Sequence, residues 1–146
     1  MPLSHRCAAV LGLSLMTTAF GSGLAIAAQT LHVDLMERGN GQMMIKTSAE
    51  PLKAGKVTFD VANKSHDIEH EFLIARLTVT PDKVPYDETR GKVREDDLKE
   101  LHELGDIDAG KTGTMTLDLK PGKYLLFCNL PGHYKAGMYR VLTVTK

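Results

Sequence analysis

Short segments in which apolar and polar residues alternate recur along the chain. The alternation is clearest in LHVDL (31–35), VTFDV (57–61) and MTLDL (115–119), and a period of two is typical of antiparallel strands that bury one face. Three further segments are more apolar and are also interpreted as strands: HEFLIARL (70–77), KYLLFC (123–128) and MYRVLTV (138–144). Glycine-rich turns separate these segments. The pattern therefore predicts an all-β fold, a small β-sandwich or barrel.

One region breaks this pattern. Residues 78–110 are highly charged, and four apolar residues recur there at roughly helical spacing: Val93, Leu98, Leu101 and Leu104. Such spacing places apolar side chains on one helical face. We therefore predict one inserted helix in this region.

The N-terminus has a different composition. A charge-free stretch, residues 7–28, follows Arg6 and ends in AIAA, where Ala25 and Ala27 fit the small-x-small cleavage pattern of a secretory signal peptide. We interpret residues 1–28 as a cleaved signal peptide and residues 29–146 as the mature domain. The stretch is long enough to span a bilayer, so a retained anchor is the alternative, but its glycines, serine and threonines favour cleavage.

Composition limits the classes of function. The chain of 146 residues has 18 lysines and arginines against 18 aspartates and glutamates, and 42% of it is hydrophobic. This balance is typical of one soluble domain and gives no reason to expect nucleic acid as a ligand. We expect a monomer with no membrane contact once the signal peptide is removed.

Cys128 is the only cysteine of the predicted mature chain, so no internal disulfide can form. An exposed thiol in an exported protein would be oxidised, and an inert, buried cysteine is the ordinary explanation. The neighbours of Cys128 favour a metal site instead, because His133 follows five positions later and Met138 five positions after that.

His70 is expected to face the same end of the core. It shares strand parity with Phe72 and Ile74, so its side chain should point inward with theirs. Cys128 ends one predicted strand and Met138 begins the next. If the strand of His70 is their neighbour, four side chains converge: His70, Cys128, His133 and Met138.

Two imidazoles, a thiolate and a weak thioether are the ligand set of a mononuclear copper centre that transfers electrons. The thiolate is soft enough for Cu(I) and the imidazoles suit both oxidation states. We therefore predict one copper per chain, which alternates between Cu(I) and Cu(II).

Other chemistries explain these residues less well. Structural zinc sites gather several cysteines or carboxylates and do not recruit methionine. A dinuclear copper site needs a second cysteine, and multicopper oxidases need further histidine pairs. A cysteine–histidine nucleophile leaves Met138 unexplained. We therefore do not expect an enzyme.

The segment YLLFCNLPGHYKAGM (124–138), together with HEF (70–72), resembles the cupredoxin family of blue copper proteins. The resemblance covers the mature chain and implies a Greek-key β-sandwich with copper at one end. It implies a periplasmic protein that passes single electrons between larger redox proteins. It also implies the ligands named above: His70, Cys128, His133 and Met138.

The loop between these ligands is expected to contact the redox partners. An apolar patch should surround the exposed edge of His133, formed by Leu130, Pro131, Gly132 and Tyr134.

Glu71 stands where azurin-like sites have asparagine, so hydrogen bonds to the thiolate should come from backbone N–H groups, which Pro131 lacks. Fewer such bonds would raise the reduction potential.

A copper carrier that delivers metal to another protein is the main alternative function. Soft or basic side chains outside the predicted site could hold a second copper: His32, Met43, Met44 and His66. Strand packing or surface exposure is the simpler explanation for each. His66 shares parity with His70 if that strand begins early, so it is the strongest alternative ligand.

Overall fold

The computed structural model describes residues 28–146, so residues 1–27 of the predicted signal peptide lie outside the described residues. The described chain consists mostly of strands and confirms the all-β class. The strands are β1 Gln29–Glu37, β2 Met43–Thr47, β3 Leu52–Lys53, β4 Gly55–Asn63, β5 His70–Arg76, β6 Tyr86–Asp87, β7 Lys92–Val93, β8 Lys99–Ile107, β9 Thr112–Leu119, β10 Gly122–Phe127 and β11 Tyr139–Thr145. Short 3-10 turns lie at Gly39–Gly41, Pro81–Lys83 and Glu95–Asp97.

Two sheets form a sandwich. One has the strand order β2-β1-β4-β9, the other has the order β3-β11-β10-β5-β8, and β6 and β7 form a separate pair. Fully buried apolar residues from both sheets make the main core, among them Leu31, Val33, Phe59, Phe72, Leu126 and Leu142. All six segments predicted as strands lie in this sandwich.

The strand directions differ in part from the expectation. β1 and β4 pair in parallel, as do β3 and β11, so the antiparallel interpretation of residues 31–35 and 57–61 is wrong for that pair. The chain crosses to the second sheet at β3 before it returns as β4. β1 and β4 are therefore not joined by a hairpin, and the crossover connection between them permits parallel pairing.

The predicted inserted helix is also wrong. β8 pairs with β5 through two register shifts, and at each shift β8 contains one extra residue, as in a β-bulge. The register shift between Lys99 and His102 allows Leu98 and Leu101, three residues apart, to pack on one face of the sheet, while Leu104 packs on the other. All three leucines are half-buried.

The segment between β5 and β8 covers the outer face of the second sheet. Its apolar residues form a second buried group, here called the outer cluster, with residues of β5, β10 and the following loop: Leu73, Ala75, Val84, Val93, Leu125, Phe127 and Tyr134. Strands β5 and β10 are therefore buried on both faces. This explains why their sequences are nearly continuous apolar runs.

None of the helical segments in residues 28–146 has the length and apolar character needed to cross a membrane.

Candidate metal centre

Three of the predicted ligand side chains meet at one end of the sandwich. His70 Nδ1 lies 3.3 Å from His133 Nδ1, and Cys128 Sγ lies 3.3 Å from the same nitrogen. The possible ligand atoms of these three residues all lie within 4.8 Å of one another. Two nitrogens and one sulfur thus surround a common point, as the coordination of a single ion requires.

Met138, the fourth predicted ligand, is tied to this group by its backbone and its burial. Its side chain is fully buried in the main core together with Cys128. The Met138 N–H donates to the His133 carbonyl at 3.0 Å, and the Cys128 N–H donates to the Met138 carbonyl at 3.1 Å. The loop therefore closes on itself between β10 and β11 and brings the backbone of Met138 next to that of Cys128 and His133.

A hydrogen bond to the ring nitrogen that points away from the site fixes the orientation of His70. Ser65 Oγ lies 2.7 Å from His70 Nε2, which leaves Nδ1 directed at the site. Asn63 shapes the loop that carries Ser65, because its Oδ1 accepts from the Ser65 N–H at 2.9 Å and its Nδ2 donates to the Ile107 carbonyl at 2.8 Å. Such partners orient metal-binding imidazoles. Sequence reasoning did not identify Ser65 or Asn63, although short polar residues commonly make such loop contacts.

The sulfur of Cys128 is buried and receives a backbone hydrogen bond. The Glu71 N–H donates to Sγ at 3.3 Å, which confirms the expected backbone donor. Burial raises the pKa of the Cys128 thiol to about 11, while the N–H groups of Leu130 and Glu71 oppose this rise. Because a bound cation deprotonates a coordinating thiol, the buried sulfur is suited to a metal and poorly suited to free nucleophilic chemistry.

Both imidazoles are kept neutral by their surroundings. Burial, assisted by the proximity of His133, lowers the pKa of His70 to about 4. Burial also lowers the pKa of His133. The Glu37 carboxylate acts in the opposite direction on both rings. Neutral imidazoles have a free lone pair at neutral pH, so both rings can bind a metal without first losing a proton.

The residues considered for a second copper have other surroundings. His66 is exposed in the loop before β5, and His32 is exposed on β1 with its Nδ1 3.0 Å from Asp60. Met43 packs against the main core, and Met44 follows it on β2. His66 therefore does not replace His70 in the group of three residues.

The surface around His133 differs in one respect from the expected patch. Pro131 and Gly132 are exposed, and Leu130 is half-buried beside them. Tyr134 is only 7% exposed and lies in the outer cluster, where its hydroxyl donates to the Pro81 carbonyl at 2.8 Å. The apolar surface beside His133 therefore consists of Leu130, Pro131 and Gly132 without Tyr134.

Comparisons with known proteins agree with this geometry. Residues 32–145 match the family described as copper binding proteins, plastocyanin/azurin family. A stretch of 40 residues is 50% identical to auracyanin-B of Chloroflexus aurantiacus (strain ATCC 29366 / DSM 635 / J-10-fl), and it spans 27% of this chain and 17% of that relative.

Solved structures share the fold. An auracyanin B structure matches with a TM-score of 0.57 at 22% identity, over 81% of this chain and 89% of that one. A reduced auracyanin from Roseiflexus castenholzii matches with a TM-score of 0.55 at 20% identity, over 81% and 98% of the two chains. Rusticyanin from Thiobacillus ferrooxidans gives 0.56 at 17% identity, over 81% and 77%.

Proposed function

The chain belongs to the plastocyanin/azurin family of copper-binding proteins, and on this premise we propose that it is a type 1 copper protein that shuttles single electrons between redox partners. The proposed ligands are His70, Cys128, His133 and Met138. The observation that supports the proposal most is the convergence of two imidazole nitrogens and one cysteine sulfur within 4.8 Å. No carboxylate belongs to that group of ligand atoms, which favours copper over a harder cation.

Copper supplies the one-electron couple when it is bound. The protein contributes a rigid set of ligands: Ser65 holds the His70 ring at 2.7 Å, and the Glu71 N–H stabilises the sulfur at 3.3 Å. Cys128 and Met138 are joined by a backbone hydrogen bond where β10 and β11 end and begin. Because the ligands are held before metal binds, a change of oxidation state should require little movement.

We propose that redox partners contact the surface formed by Leu130, Pro131 and Gly132 beside His133. Pro131 and Gly132 are exposed, and His133 is half-buried. A small apolar surface suits weak redox complexes, which must form and dissociate quickly. This contact would place the partner beside a proposed copper ligand.

We also propose where the protein acts and that it acts as a carrier. Export to the periplasm rests on the predicted signal peptide, residues 1–28, and the proposed mature protein is a monomer without an enzymatic reaction of its own. A soluble electron carrier outside the cytoplasm needs only the sandwich and the site described above.

Electron transfer and copper delivery predict different copper retention. The mature protein, loaded with one equivalent of Cu(II), is reduced with ascorbate and reoxidised with ferricyanide over several cycles, with desalting after each. Electron transfer predicts that one copper per chain is retained throughout. Progressive loss as Cu(I), or uptake of a second labile Cu(I), would favour the copper carrier instead.

A further inference from the structure

The inward row of side chains on β1 ends in a carboxylate. Leu31, Val33 and Leu35 alternate along the strand and are fully buried in the main core. Glu37 is the next residue of the same parity, so its side chain leaves the backbone on the core side. An acidic residue at the end of a core-facing row is costly to bury unless it has a partner.

The end of β1 lies against the loop that carries the proposed ligands. Glu37 is paired with Met43 across the β1–β2 ladder. The Met43 N–H donates to the Ala136 carbonyl at 2.9 Å, and Ala136 lies between His133 and Met138 in the sequence. Glu37 is thus separated from the ligand loop by a single strand.

Glu37 as a whole is half-buried, and one oxygen of its carboxylate is buried. Glu37 Oε1 is inaccessible to solvent and has no hydrogen-bond partner among residues 28–146. Buried polar atoms are nearly always paired in native proteins, and an orphan calls for an explanation such as a role toward a bound ion.

We propose that Glu37, which is not a ligand, is a tuning carboxylate near the copper site whose charge favours Cu(II) over Cu(I). This inference rests on the proposed function, because it requires copper at His70, Cys128 and His133. The oxidised site has one more positive charge than the reduced site. A fixed negative charge nearby therefore stabilises the oxidised state more and lowers the reduction potential.

Substitutions at Glu37 test this role in the full copper-loaded protein. E37Q removes the charge and keeps the shape, while E37D keeps the charge. D34N is the matched control, because Asp34 lies on the same strand with the opposite parity and is paired with Lys64 at 3.9 Å. The readouts are the reduction potential, measured by spectroelectrochemical titration, and the thiolate-to-copper absorption band.

The expected result is a rise in potential for E37Q alone. Removing one charge near the ion should lower the affinity for Cu(II) relative to Cu(I) by about tenfold, which corresponds to about 59 mV for one electron. E37D should stay closer to the wild-type potential than E37Q, and D34N should show little change. The absorption band should persist in all variants.

A second variant separates tuning from a structural role. E37L continues the apolar row of β1, so the metal-free protein should melt at a higher temperature than wild type, while the copper-loaded protein should have a raised potential. A lower melting temperature with an unchanged potential would overturn the inference.

Two further outcomes are also decisive. Equal potentials for E37Q and D34N, with an intact band, would overturn the role of Glu37 and leave the proposed function standing. A wild-type protein without the band would overturn the proposed function and, with it, this inference.

Discussion

The hydroxyl of Ser65 holds the ring of the first proposed ligand. It lies 2.7 Å from His70 Nε2, and the backbone of Ser65 is in turn fixed by Asn63. The imidazole ring is therefore held in one rotamer, with Nδ1 directed at the site. A ligand that is ordered in advance loses less conformational entropy when the metal binds.

Ser65→Ala removes this support and leaves the four proposed ligands in place. Loss of such a partner typically costs about tenfold to a hundredfold in metal affinity, and we expect weakening of that size. Competition titrations with a copper chelator measure it. Ser48→Ala is the control, because the Ser48 hydroxyl contacts the backbone of His32 away from the site. Equal affinities for the two variants would contradict the prediction.

The sequence made the four proposed ligands recognisable but not the residues around them. His70 was found because strand parity gives the direction of a side chain, and Cys128, His133 and Met138 share one short loop. Ser65 contacts His70 because the loop between β4 and β5 folds back on the start of β5. The pattern of apolar and polar residues does not predict the shape of such a loop. Glu37 could have been found, because parity alone shows that it continues the row of Leu31, Val33 and Leu35.

At the scale of elements, the segment between β5 and β8 is fastened to the ligand loop. Asn129, next to Cys128, accepts from the Val93 N–H at 2.7 Å and donates to the Val93 carbonyl at 3.0 Å. The Gly132 N–H donates to the Gly91 carbonyl at 2.8 Å. The added segment thus covers the outer face of the sheet and also braces the loop that holds the proposed ligands.

Asn129→Ala should remove the hydrogen bonds that join the ligand loop to Val93 and lower the stability of the fold. The substitution leaves the N–H and carbonyl of buried Val93 without their partners, and each unpaired buried group costs about 1–3 kcal/mol. We therefore expect the free energy of unfolding to fall by about 2–4 kcal/mol, measured by urea denaturation of the metal-free protein.

Glu95→Gln is the comparison for that measurement. Glu95 Oε1 accepts from Asn129 Nδ2 at 2.6 Å, and glutamine keeps an acceptor oxygen there. Its effect should be clearly smaller. If Asn129→Ala were no more destabilising than Glu95→Gln, the side chain of Asn129 would not be the brace.

The same region shows why element type is harder to predict than strand position. Regular alternation identified three strands and apolar runs identified three more, because each of these strands has at least one buried face over several consecutive residues. β8 has two register shifts where it pairs with β5, and its apolar residues Leu101, Leu104 and Ile107 are three positions apart instead of two. Only the pairing partner distinguishes such a strand from a helix, and the partner is not local in sequence.

For the molecule as a whole, the proposed site lies at one end of the sandwich and the Leu130, Pro131 and Gly132 surface lies beside it. Electron exchange between two copies of the protein can therefore probe this surface without knowledge of the natural partner. Two molecules that meet at the proposed surface would each place His133, a proposed copper ligand, beside the contact.

Leu130→Lys should slow this self-exchange. Two such molecules would meet with like charges, so the rate should fall at low salt and recover as salt screens the repulsion. Line broadening in NMR spectra of mixed oxidised and reduced protein measures the rate. Val79→Lys is the control, because Val79 is an exposed apolar residue (45% exposed) beyond the far end of β5. Equal rates in the two variants would place the contact elsewhere.

The account as a whole requires one ion held by the sulfur of Cys128 and the imidazoles of His70 and His133. Optical and EPR spectra of the mature protein with one equivalent of Cu(II), recorded for wild type and for Cys128→Ser, test this most directly. We predict an intense thiolate-to-copper band in the wild type and its disappearance in Cys128→Ser, because serine cannot donate sulfur charge to the metal. A full band in Cys128→Ser, or none in the wild type, would contradict the account.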